Sequence, residues 1–107
     1  MRRGELYRLA KPGGHPEHCR TFVVVSRQAL IDSRFSTVIC DPVFTTGEGL
    51  STQIAIGPDQ RMKHECWIMC DNLVSLRKSD LNQYVGALSA KKLSELNRSL
   101  RMALDLA

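Results

Sequence analysis

Thr21-Phe22-Val23-Val24-Val25-Ser26 is the stretch on which the fold turns. β-Branched and aromatic side chains are stiff and pack well on a pleated surface, and this run is apolar on both faces rather than alternating. It predicts a central strand covered on both sides. Upstream, Lys11-Pro12-Gly13-Gly14-His15-Pro16 holds two prolines without a ladder donor and two glycines, so it reads as a loop. Gly4 to Leu9, before that loop, alternates with Glu5, Tyr7 and Leu9 on one face and reads as a half-buried edge strand.

Downstream, Gln28 to Asp32 reads as one helical turn, and Thr37 to Phe44 as a strand in which Pro42 marks an edge or a bulge. Thr45-Thr46-Gly47-Glu48-Gly49 is a polar, flexible loop. Short strands follow at Thr52 to Ile56, ended by Gly57-Pro58-Asp59, and at Glu65 to Cys70, which contains Trp67, Ile68 and Met69. Ser89 is placed to cap a helix from Ala90 to Leu106. There Leu93, Leu96, Leu100 and Ala103 or Leu104 make one apolar stripe, with Lys91, Lys92, Glu95, Arg98 and Arg101 on the other faces. That stripe packs on the sheet or on a second subunit. The expected fold is mainly β with a C-terminal α-helix, a small and strongly curved antiparallel sheet or barrel, in a single domain over residues 1–107.

A chain of 107 residues is too short for a multi-domain enzyme. Fifteen Lys and Arg against eleven Asp and Glu give a net charge of +4, which favours a polyanionic partner such as a phosphate backbone. No run approaches the roughly 18 apolar residues of a membrane helix, and Met1-Arg2-Arg3-Gly4-Glu5 is unlike a signal peptide, so a cytoplasmic protein without a membrane partner is expected. In that compartment Cys19, Cys40, Cys66 and Cys70 are expected as reduced thiols. Cys66 with His64, and Cys19 with His18, suggest a zinc site only loosely, because the spacing fits no common template; no metal is expected. Phosphate-binding glycine loops, G-x-S-x-G and H-E-x-x-H are all absent. Pattern alone therefore stops at a basic, β-rich domain.

The segments RRGELYRL (Arg2 to Leu9), CRTFVVVS (Cys19 to Ser26), FSTVICDPVFTT (Phe35 to Thr46), CDNLVSL (Cys70 to Leu76) and VGALS (Val85 to Ser89), followed by a leucine-rich helix, go further. In this order and spacing the chain resembles, nearly end to end, the MazF/PemK family of toxin endoribonucleases. The resemblance implies an SH3-like β-barrel of the CcdB/MazF type that works as a homodimer. It also implies metal-independent, sequence-specific cutting of single-stranded RNA without a cofactor, and a cognate antitoxin protein that masks the groove. The family's catalytic Arg and Thr match Arg20 and Thr45 here, with Thr46 the substitute if the match slips by one.

Two departures stand out: Thr21 occupies the place of a usual proline, and His15-Pro16-Glu17-His18 replaces a Ser-Glu pair. His15, Glu17 and His18 are thus the candidates for substrate contact and proton transfer near Arg20, with His18 foremost and the general base unassigned. Asp71 and Asn72 match an acidic-amide pair suited to reading base edges. Tyr7 and Trp67 are candidates for base stacking, and Arg61, Lys63 and His64 for backbone phosphates.

Each of these residues also has a plainer role. An Arg at a strand entrance is commonly a solvated charge, a Thr at a strand end a turn residue, Asp-Asn an Asx turn, and a Trp in an apolar run a core residue. The alternative function is a non-catalytic CcdB-like toxin, or an SH3-like module that binds RNA or protein.

Overall fold

The structure, a computed structural model, describes residues 1–9 and 20–107. Among the described residues there are seven strands: β1 (Glu5–Leu9), β2 (Arg20–Val24), β3 (Thr37–Phe44), β4 (Gln53–Ile56), β5 (Cys66–Met69), β6 (Val74–Arg77) and β7 (Gln83–Ala87). A single turn of helix, α1 (Gln28–Ile31), separates β2 from β3, and α2 (Ala90–Ala103) closes the chain. All ladders are antiparallel, in the order β4-β5-β3-β2-β1-β7, with β6 also paired to β3. As its composition predicts, β2 is central: four of its five residues are buried between β1 and β3.

Three expectations change. β1 is not an edge strand, because β7 returns along its free side and pairs Glu5 with Ala87 and Tyr7 with Tyr84. Pro42 stands inside the sheet, opposite Phe22. Its missing N–H is tolerated because β3 changes neighbour there: β6 pairs with Thr37 to Cys40 and β5 with Val43 and Phe44, so Asp41 and Pro42 fall between the two. Finally, α2 ends at Ala103, and Asp105 turns left-handed (φ 54°), leaving Leu104 and Leu106 exposed.

The sheet has an apolar layer on each face. On one side α2 lays Leu93, Leu96 and Leu100 over Leu6, Val23, Val43, Ile54 and Ile68. On the other, Phe22, Val24, Val38 and Cys40 are covered by Ile31 of α1 and by Leu81. Ser89 caps α2 as expected, its Oγ accepting from the Lys92 N–H at 3.2 Å. The helix is also tied to the β4 side: Lys92 Nζ donates to the Ala55 carbonyl (2.7 Å) and Ser99 Oγ to that of Ser51 (2.8 Å). Curling brings the turn after β4 against β7, so closely that a Cβ on Gly86 would stand 2.8 Å from the Gln60 carbonyl oxygen. No helix among the described residues is long and apolar enough to cross a membrane.

Candidate active site

Arg20 opens β2, where its neighbour on one side is Leu9 of β1. On the other side the β2–β3 register, Thr21 to Val43 and Phe22 to Pro42, brings it level with Phe44. Side chains level with one another in adjacent strands share a face. The guanidinium accordingly lies over the Phe44 ring, 5.5 Å from its centroid, and remains exposed. Phe44 is in turn level with Trp67 of β5, so Trp67, Phe44, Arg20 and Leu9 form one row across four strands. Thr45 and Thr46 follow Phe44 directly and are exposed, which puts both hydroxyl-bearing residues at the same end of the β2–β3 ladder as Arg20.

Past Thr46 the chain turns over Trp67 and is fastened by the Glu48 N–H, which donates to Gln53 Oε1 at 2.7 Å. The end of the sheet therefore presents a guanidinium on an aromatic shelf, at a strand end that runs on into two exposed threonines. A planar guanidinium in that position suits bidentate binding of a phosphodiester.

Asp71 and Asn72 are exposed on the 3-10 turn Cys70–Asn72 after β5. Asp71 Oδ2 accepts from Thr52 Oγ1 at 2.6 Å, and α2 packs on this turn. The pair does not join the Arg20 cluster: Trp67 is level with Phe44, and the turn begins three residues further along β5, about 10 Å at strand rise. Tyr7 belongs to the Arg20 face, but its hydroxyl is engaged with Glu5 Oε1 (3.0 Å) and its ring meets Tyr84 edge-on at 5.7 Å. Burial and the Glu5 carboxylate push that hydroxyl up to about 12, so it remains protonated. Arg61, Lys63 and His64 are exposed on the β4–β5 connection. His15, Glu17 and His18 lie outside the described residues.

Two features were not legible in the sequence. Phe44 as the shelf under Arg20 emerges only once the β2–β3 register is known. Asp41 is fully buried, with neither carboxyl oxygen hydrogen-bonded among the described residues. Burial pushes its pKa up to about 7, against the opposing pull of the Cys70 thiol and the Arg3 guanidinium. Cys40, Cys66 and Cys70 are buried free thiols; burial raises all three, Cys40 to about 12, so none is a thiolate nucleophile at neutral pH. Among the described residues no group of three or more His, Cys, Asp or Glu is arranged to hold a metal.

A curled antiparallel sheet backed by one C-terminal helix, with an arginine and two threonines at its open end, defines a small SH3-like β-barrel protein of the CcdB/MazF type. Residues 2–104 match the family model described as PemK-like, MazF-like toxin of type II toxin-antitoxin system, and the chain belongs to that family. It is 29% identical over 102 residues to a Mycobacterium tuberculosis protein named probable endoribonuclease MazF2, covering 94% of this chain and 95% of the relative. Among solved structures, an endoribonuclease in complex with its cognate antitoxin from Mycobacterial species superposes with a TM-score of 0.83 at 26% identity, covering 98% of this chain and 95% of that one. The Mycobacterium tuberculosis toxin MazF-mt6 has the same fold, with a TM-score of 0.83 at 20% identity over 96% of this chain and 98% of its own.

Proposed function

We propose that this chain is the toxin of a type II toxin–antitoxin pair and an endoribonuclease, cutting single-stranded RNA at short sequence motifs. The observation that carries the mechanism is the meeting of Arg20 with Phe44 at the strand end that continues into Thr45. In the reaction the ribose 2′-oxygen forms a bond to the adjacent phosphorus and the bond from phosphorus to the 5′-oxygen breaks. The products are a 2′,3′-cyclic phosphate and a 5′-hydroxyl. The proton leaves the 2′-hydroxyl and one is taken up by the departing oxygen, so charge gathers on the equatorial oxygens and on the leaving group.

Arg20 stabilises that charge with paired N–H donors. Thr45 donates a hydrogen bond to the phosphate or the leaving oxygen, with Thr46 beside it. His15, Glu17 and His18 are the groups proposed for proton transfer and substrate contact, His18 first. Asp71 and Asn72 read base edges one or two nucleotides away, in keeping with their separation from Arg20. No metal or cofactor takes part.

The protein works in the cytoplasm as a homodimer of one-domain chains, held in check by an antitoxin protein. That partner accords with the antitoxin complex of a relative. The test is incubation of the purified protein with long single-stranded RNA in EDTA, followed by mapping of the ends. Discrete cuts ending in cyclic phosphate are expected. Intact RNA, with the protein bound to RNA or to another protein instead, means a non-catalytic CcdB-like toxin or binding module.

A further inference from the structure

Trp67 is the only tryptophan, and it shares the cross-strand row of Phe44 and Arg20. The loop after β3 runs directly over it. A Cβ on Gly47 would stand 2.5 Å from both Cγ and Cδ2 of the indole and 2.8 Å from Cδ1, so the backbone at residue 47 lies against the ring itself. These are rigid ring atoms rather than the end of a mobile chain, and no side chain fits between. The next residue is fastened as well, through the Glu48 N–H to Gln53.

Thr45 and Thr46 are thus strung between two fixed points: Phe44, paired in the sheet, and Gly47, resting on the indole. Consecutive Cα atoms are about 3.8 Å apart, and three such steps joining anchored ends leave the intervening side chains little freedom. We propose that Trp67 is a positioning residue whose indole seats the Gly47 backbone and thereby sets where the Thr45 and Thr46 hydroxyls stand relative to Arg20. The proposal rests on the reading of Arg20 and Thr45 given above. The Gly47 backbone occupies one face of the ring, and Trp67 acts through that loop rather than through the RNA.

The experiment compares Gly47→Ala, Trp67→Phe and Trp67→Ala in the full chain, with Gly57→Ala as control because a Cβ there meets nothing within 4 Å. A misplacement near 1 Å costs about 100-fold in rate, so Gly47→Ala is expected to lower kcat roughly 10- to 100-fold with KM within twofold of wild type. The same variant exposes the single tryptophan, moving its emission to longer wavelength and increasing acrylamide quenching, while the unfolding midpoint barely moves. Trp67→Phe, which keeps a flat ring, recovers most of the kcat lost in Trp67→Ala.

Wild-type kcat in Gly47→Ala with shifted emission overturns the proposal, as does unshifted emission, or a rise in KM alone in Trp67→Ala, which means direct base contact. Equal kcat in Trp67→Phe and Trp67→Ala overturns it even if Gly47→Ala does not fold. Failure of the underlying reading looks different: Arg20→Ala then cuts at the wild-type rate, whatever the fluorescence does.

Discussion

The two faces of the sheet are finished differently. One is closed by the chain itself: α2 lies over Leu6, Val23 and Ile68, and Leu96 is wholly excluded from water. The other carries a smaller apolar layer under a single helical turn and leaves its strand ends bare, with Arg20 on Phe44 and Tyr84 more than half exposed. Folding energy is concentrated on the first face. On the second, a cation and an aromatic shelf remain in water, where they contribute little stability and are free to meet a ligand.

This division breaks most directly at Arg20. Arg20→Ala is expected to lower cutting by about 100- to 1,000-fold, the usual loss when a transition-state charge loses its donor. Because Arg20 is exposed, stability should stay within about 0.5 kcal/mol. RNA end-mapping rates and urea denaturation check the two halves, and a variant that unfolds readily means the second face is structural after all.

Asp41 tests the closed face in the opposite sense. Its pKa is about 7 in the folded chain and near 3.8 ordinarily, so between those values the native state holds a proton that the unfolded chain has released. Stability is therefore fully present below about pH 4, falls as pH rises towards 7, and then levels off. At 1.36 kcal/mol per pKa unit the loss reaches roughly 4 kcal/mol. Asp41→Asn is expected to flatten that decline and to be more stable than wild type at pH 8. Parallel stability curves for the two proteins from pH 4 to 8 exclude the effect.

Leu96→Ala sharpens the contrast from the helix side. Emptying this fully buried position costs about 3 kcal/mol by the usual range for such truncations. The rate per folded molecule should not change. Denaturant midpoints and kcat measured on the same preparation distinguish a loss of fold from a loss of site.

Strong local patterns could be read from the sequence. The valine run specified β2 because its side chains favour a strand whatever lies beside them, and Ser89 with the leucine stripe specified α2. β6 and β7 did not stand out as strands. Val74-Ser75-Leu76-Arg77 is largely exposed, and Gln83-Tyr84-Val85-Gly86-Ala87 contains Gly and Ala, which are poor strand formers; pairing with β3 and β1 makes them strands. Without β7 in view, the alternation of Glu5 to Leu9 reads as an edge strand. Pro42 misled for a related reason, since its tolerance depends on where two other strands end.

At the site, Arg20, Thr45, Asp71 and Asn72 came from the family resemblance, not from local chemistry. Phe44, Gly47 and Asp41 were out of reach, because each matters through a neighbour distant in sequence: Arg20, Trp67 and Cys70.

The ties from α2 to the β4 side bear on how this protein behaves when crowded. An outermost strand with free backbone groups is a template for stacking further chains. Here the carbonyl of Ala55 in β4 is already taken by the ammonium of Lys92, and that of Ser51, just ahead of the strand, by the hydroxyl of Ser99. A foreign segment extending the sheet on that flank meets a β4 carbonyl already engaged, so the element that completes the core also makes this edge a poorer template for fibrous stacking.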